Sequence, residues 1–214
     1  MHIIGLAAVL VVSAGYVILH GLSSGLFGSA AGDGPGAPRM VWQTVDRGAD
    51  GFKVEMPAEA KQVQVPAYSQ TSAAEPVNMI LANPDAETTF SVAWADNPPV
   101  ARGDGQAPGR VSPDRVLEMA EEGALARTQT SAASSASGSE QGFPRRDFTA
   151  SNPGGGVMSS RLIYAGARLY MLVAAFPSAN ARRDRDVARF FDSFTILPPA
   201  TGARSGTAEP AASN

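Results

Sequence analysis

The chain has 214 residues, of which 44% are hydrophobic and 17% charged, with a net charge of −3 and no cysteine. One domain, or two at most, fits that length, and the missing cysteine excludes disulfides, thiolate zinc sites, iron–sulfur clusters and a cysteine nucleophile. The only histidines are His2 and His20, so nothing from Gly21 onward can build a Ser–His–Asp triad, a Cys–His dyad or a histidine-rich metal site.

No Asp, Glu, Lys or Arg precedes Asp33; Ile3 to Leu19 is strongly apolar, and the uncharged run continues through His20 to Phe27. As a helix rising about 1.5 Å per residue it would cross a hydrocarbon core of about 30 Å. Residues 1–28 are therefore read as a single transmembrane anchor. A cleaved signal peptide is the alternative, since Gly28-Ser29-Ala30-Ala31-Gly32 offers small residues for processing. Gly21-Leu22-Ser23-Ser24-Gly25 fits a serine-hydrolase pattern, but it ends an apolar helix and no downstream histidine could act as base. Residues 29–40, rich in Gly, Ala and Pro, read as a flexible linker. Residues 199–214 contain no large apolar side chain from Ala200 onward and read as a disordered tail. Residues 41–198 remain as one α+β globular domain.

Within that domain, Gly51 to Pro57 alternates Phe, Val and Met with Lys and Glu, the pattern of a half-buried strand ended by Pro. Gln62 to Val65 alternates again. Val77–Ala82 and Thr88–Trp94 flank Asn83-Pro84-Asp85-Ala86 and predict a hairpin. Residues 101–110 form a Gly-rich loop whose Arg102-Gly103-Asp104 carries no adhesion signal. Ser112-Pro113-Asp114 opens a helix, with Ser as N-cap and Pro in the first position. Its apolar stripe is Val116, Leu117, Ala120 and Ala124, with Glu118, Glu121 and Glu122 expected toward water. Ser131 to Ser139 has no side chain larger than Ser and fits a helix end, an edge strand or a loop equally well. Gly142 to Phe148 restarts order as a strand. Asn152–Gly156 is a turn, and Val157–Ala165 with Ala167–Phe176 predicts a second hairpin. A loop of Ala165-Gly166 would set Arg161 opposite Tyr170. A last helix, capped by Ser178 or Asn180, carries the stripe Val187, Ala188, Phe191 and Phe194. A short strand over residues 194–197 follows.

Residues 41–142 hold 7 basic and 14 acidic side chains, whereas residues 143–197 hold 8 basic, all Arg, and 4 acidic. Arginine forks suit carboxylates and phosphates, so Arg145, Arg146, Arg161 and Arg168 are the candidate ligand-binding residues, on an arginine-lined sheet face. The competing reading is that they pair with the acidic half. No residue is marked as catalytic or as a metal ligand, and no cofactor is implied. Basic blocks interleaved with aromatics are lacking, which argues against nucleic acid as a partner.

Trp42, the Gly51-Phe52 pair opening a strand that ends at Pro57, Arg168-Leu169-Tyr170-Met171-Leu172 and Phe190-Phe191-Asp192-Ser193-Phe194 together resemble a widespread bacterial domain of uncharacterised role. Phe143-Pro144-Arg145-Arg146-Asp147 is similar to a further strand of that family, with Arg145 in place of Gly and Asp147 in place of Glu. The resemblance covers most of residues 42–197. It implies a fold like that of PsbP and Mog1, an antiparallel sheet with helices packed on it, in proteins often exported or membrane-tethered. PsbP-like members are non-catalytic accessory proteins of larger complexes, and no binding residues carry over. The expectation is a non-catalytic, membrane-anchored envelope domain with its C-terminal part outside the cytoplasm, in the periplasm, binding or supporting an unidentified protein. The alternative is a secreted small-ligand or anion binder.

Overall fold

The computed structural model describes residues 40–57, 59–65, 77–85, 87–96, 111–128, 130–177 and 181–198. The predicted anchor, linker, tail, Gly-rich loop and helix cap at 178 or 180 lie outside them. Among the described residues no helix is long and apolar enough to cross a membrane.

Among the described residues, two antiparallel sheets and two α-helices make up the fold, with a 3-10 turn at Gly48–Asp50. A three-stranded sheet runs in the order β1 (Trp42–Arg47), β2 (Phe52–Pro57), β10 (Thr195–Ile196). A seven-stranded sheet runs β3 (Lys61–Val65), β4 (Val77–Ala82), β5 (Thr89–Asp96), β9 (Arg168–Phe176), β8 (Val157–Ala165), β7 (Phe143–Ser151), β6 (Ser131–Glu140). Helix α1 is Pro113–Thr128 and α2 is Ala181–Asp192. Strands β4, β5, β8 and β9 fall where period-two patterning and turn chemistry put them. Asp85 Oδ1 closes the β4–β5 turn by accepting from the amides of Glu87 and Thr88 at 2.9 and 2.7 Å.

Alternation along the central strands feeds two cores on opposite faces of the large sheet. On one face Val116, Leu117, Ala120 and Ala124 of α1 pack over Met79, Phe148, Leu162, Met171 and Val173. The predicted stripe of α1 is buried in full, and the Ser112 hydroxyl accepts from the amide of Arg115 at 3.3 Å as its N-cap. On the other face α2 and the small sheet cover Phe90, Trp94, Ile163, Tyr170 and Leu172. This second core is aromatic. Phe52 stacks on Phe194 at 5.5 Å, meets Trp94 at 5.1 Å and Tyr170 at 5.8 Å edge-on, and Phe90 meets Phe190 at 5.3 Å. Such contacts add to simple burial.

One open reading is resolved and three expectations change. The serine–alanine stretch is strand β6, paired with β7 along its length and shifted by a one-residue bulge between Ala132 and Ser134. The second hairpin turns at Gly166-Ala167, with Gly166 at φ +67°. Arg161 therefore faces Leu172, and Ile163 faces Tyr170. In α2, Ala188 is exposed while Phe190 is fully buried, because the last turn wedges onto β2 and β9 and buries both phenylalanines. Glu121 is buried in α1, 5% exposed, because α1 lies against β7 where Arg146 waits for it. Strand β1, which no pattern marked, pairs with β2 from Trp42–Pro57 to Arg47–Phe52.

Candidate functional site

The four candidate arginines do not share one sheet face. Side chains alternate along β7, so Arg145 and Arg146 point to opposite sides. Arg146 lies on the α1 side with Phe148. Its Nε donates to Glu121 Oε2, which also accepts from Ser135 Oγ at 3.0 Å, and its Nη1 donates to Ser137 Oγ at 3.3 Å. A carboxylate buried on a helix is thereby neutralised by an arginine from the sheet, and β6 is tied to α1 through Ser135 and to Arg146 of β7 through Ser137.

Arg145 and Arg161 meet on the α2 side. Arg161 is 8% exposed. Its Nε and Nη2 donate to Asp147 Oδ1 and Oδ2 at 2.9 and 3.2 Å in a bidentate fork. Its Nη1 donates to Glu140 Oε2 and to the Phe191 carbonyl, each at 3.3 Å, and its guanidinium lies 4.9 Å over the Phe191 ring. Arg145 Nη1 shares Glu140 Oε2 at 3.2 Å, and its Nε lies 3.3 Å from Asp147 Oδ2 in ion-pair range but outside hydrogen-bond geometry. Asp192 adds a third carboxylate, 3.9 Å from Arg161. Two cations thus face three anions, which does not make an anion site.

Arg168 opens β9, the central strand of the large sheet. Its Nε and Nη2 donate to Asp96 Oδ1 and Oδ2 at 2.6 and 2.8 Å, while Nη1 donates to the Asp50 carbonyl. Tyr170 Oη donates to the Asp50 and Gly51 carbonyls, both at 3.2 Å. The hydrogen bond from Arg168 holds the Asp96 carboxyl below the ordinary carboxylate range, and that same bond raises the guanidinium. Burial pushes the Tyr170 hydroxyl up. Gly51 has φ +75°, and a Cβ there would stand 3.0 Å from Tyr170 Oη. The Gly51-Phe52 pair, the Arg168–Tyr170 strand and Phe194 are far apart in sequence but adjoin in space. The motifs that carry the resemblance therefore build one structural clamp between the two sheets.

Sequence reasoning missed Glu140, Glu121 and Asp96, each of which completes one arginine cluster. Glu140 flanks Gln141-Gly142, a Gly-containing turn that could have announced the β6–β7 hairpin. Glu121 and Asp96 left no signal, since their partners are 25 and 72 residues away. Among the described residues no group of His, Cys, Asp and Glu is arranged to hold a metal ion.

With two sheets and two helices so ordered, the chain has a PsbP-like α+β fold. It is similar to the solution structure of cyanobacterial PsbP (CyanoP) from Synechocystis sp. PCC 6803, at a TM-score of 0.50 and 14% identity over 81% of this chain and 100% of that one. Two weaker likenesses were also found. One is to the Pseudomonas aeruginosa protein PA94, a putative regulator (TM-score 0.37, 12% identity, 73% of this chain and 96% of that one). The other is to LpqN of Mycobacterium tuberculosis, involved in cell envelope biogenesis (TM-score 0.37, 12% identity, 75% and 93%). No protein-family profile matches the sequence, and no curated protein matches it.

Proposed function

We propose that the chain is a non-catalytic domain, held at a membrane by its N-terminal segment and facing the periplasm, where it binds or supports a partner protein. The observation that carries this reading is the internal commitment of the candidate polar groups. Arg145, Arg146, Arg161 and Arg168 are all held by carboxylates of the same domain, so what the domain offers a partner is shape and backbone. A PsbP-like fold supports the reading at the level of architecture alone, because fold does not carry function by itself. The uncharged, largely apolar stretch from Ile3 to Phe27 supports the tether.

Intact mass after separating membrane from soluble fractions tests the tether. A mass of 22.1 kDa in the membrane fraction is expected. A shorter, soluble, exported product beginning near Ala31 would replace the anchor with a cleaved leader and make a diffusible binder the better reading. Cross-linking in membranes tests the partner, with a discrete adduct of a second protein expected. For the anion-binding alternative, a melting temperature that rises with phosphate or citrate would favour it, and none is expected from arginines already paired.

A further inference from the structure

Strand β6 ends the seven-stranded sheet, and its outer edge has no neighbour among the described residues. The turn to β7 has two residues, Gln141 at φ 50° and Gly142 at φ 85°, and Glu140 pairs with Phe143 across it. In a two-residue hairpin the flanking pair is hydrogen-bonded, and bonding alternates from there. Glu140, Gly138, Ala136 and Ser134 thus spend their backbone groups on β7. Ser139, Ser137 and Ser135 turn theirs to the open edge. The bulge at Ala133 lies before this stretch, so Ser134 to Glu140 runs regularly.

Natural edge strands are usually guarded by charges, proline or a covering element. From Ser131 to Ser139 there is no charge and no proline, and every residue is exposed. What such an edge accepts is set by what can lie against it. Ser135-Ala136-Ser137-Gly138-Ser139 reads nearly the same in both directions, which is what a two-fold interface demands of a surface that must match itself.

We propose that the outer edge of β6 pairs antiparallel with β6 of a second copy of this chain, about a two-fold axis at Ser137. Ser137 then faces its own counterpart, Ser135 faces Ser139, and Ala136 faces Gly138. The backbone groups of Ser135, Ser137 and Ser139 are all satisfied across the axis, and no bulky side chain intervenes. The Glu140 carboxylates fall opposite Ser134 on the far sides of the axis, about 20 Å apart at about 3.4 Å per residue, so they do not repel. Two seven-stranded sheets become one continuous sheet. The pairing is short and its side chains small, so it buries less than the roughly 1,200 Å² of a stable interface and is reversible. The proposal stands independently of the membrane tether and of any other partner.

The absence of cysteine makes the test direct. The full-length Ser137→Cys protein carries a single thiol, and facing residues in such a pair lie about 5.5 Å apart at Cα, within disulfide reach. Under mild oxidation of intact cells that make it, with membrane and soluble fractions both assayed, Ser137→Cys is expected to give a dimer of twice the chain mass. Ser139→Cys, whose counterpart sits four residues off register, is expected to give at least tenfold less. Adding Ser139→Pro to Ser137→Cys removes an outward amide without touching β7 pairing and is expected to abolish the dimer, with circular dichroism confirming the fold. Equal cross-linking at 137 and 139, no dimer at either, or an adduct of some other mass would overturn the proposal. An adduct with a different protein would do so while leaving the proposed partner-binding function intact.

Discussion

At Gly51 the backbone takes a left-handed turn that a side chain resists, and the space a Cβ would need lies against the Tyr170 hydroxyl. Gly51→Ala is expected to cost about 1–3 kcal/mol, read as a lower urea midpoint with unchanged slope. Arg161 is the opposite case, a residue valued for everything it touches. It answers Asp147 and Glu140, caps the Phe191 carbonyl and covers the Phe191 ring. Arg161→Leu leaves three carboxylates, Asp147, Glu140 and Asp192, facing one remaining cation, Arg145, and is expected to cost about 3 kcal/mol. Arg161→Lys should recover little, because a lysine lacks the planar fork. Both effects are measurable by equilibrium denaturation. Neither contact was legible beforehand. The arginines stood out by type, but their partners are fixed by strand register, which short sequence windows do not carry.

Between elements, the last turn of α2 is the main fastener of the aromatic core. Phe190 is fully buried against Phe90, while Ala188 two positions earlier faces out. Phe190→Ala is expected to cost about 3–5 kcal/mol, and Ala188→Gln to stay within about 0.5 kcal/mol. Thermal melts of the two variants check the assigned face, and the reverse ranking would place the stripe where helical periodicity alone had drawn it. The β6–β7 hairpin is fastened differently. Gln141 Nε2 donates to the Phe194 carbonyl at 3.2 Å and its Oε1 accepts from the Ile196 amide at 3.0 Å, so one side-chain amide stands in for a strand beside β10. Gln141→Ala should leave α1 unaffected and speed amide exchange at Ile196, measured by hydrogen exchange.

Across the whole molecule, the Arg168–Asp96–Tyr170 clamp joins the large sheet to the turn between β1 and β2 and sets two limbs of the pH profile. Asp96 is held below its ordinary range by Arg168. Its contribution is therefore present above about pH 4 and lost as pH falls through its lowered value. The gap in melting temperature between wild type and Asp96→Asn should narrow as pH drops from 6 into that window. Tyr170 is raised by burial, so its contribution is complete below about pH 10 and lost as pH rises through its raised value. Tyr170→Phe should flatten that alkaline loss. An unchanged slope on either limb would detach the named residue from it.

The periodic strands, the capped helix α1, the α+β class and the exclusion of histidine and cysteine chemistry beyond residue 20 were all readable from the chain's residues alone. These follow from local periodicity, turn residues and composition, all of which operate within a few positions. The burial of Glu121, the division of the four arginines among three clusters, and the place of Ser131–Glu140 as the edge strand of the large sheet among the described residues emerge only from the folded chain. Ion pairs across 25 or 72 residues depend on which elements become neighbours. A strand of serine, alanine and glycine has little intrinsic preference to announce it, and β6 is ordered by the backbone bonds that β7 supplies.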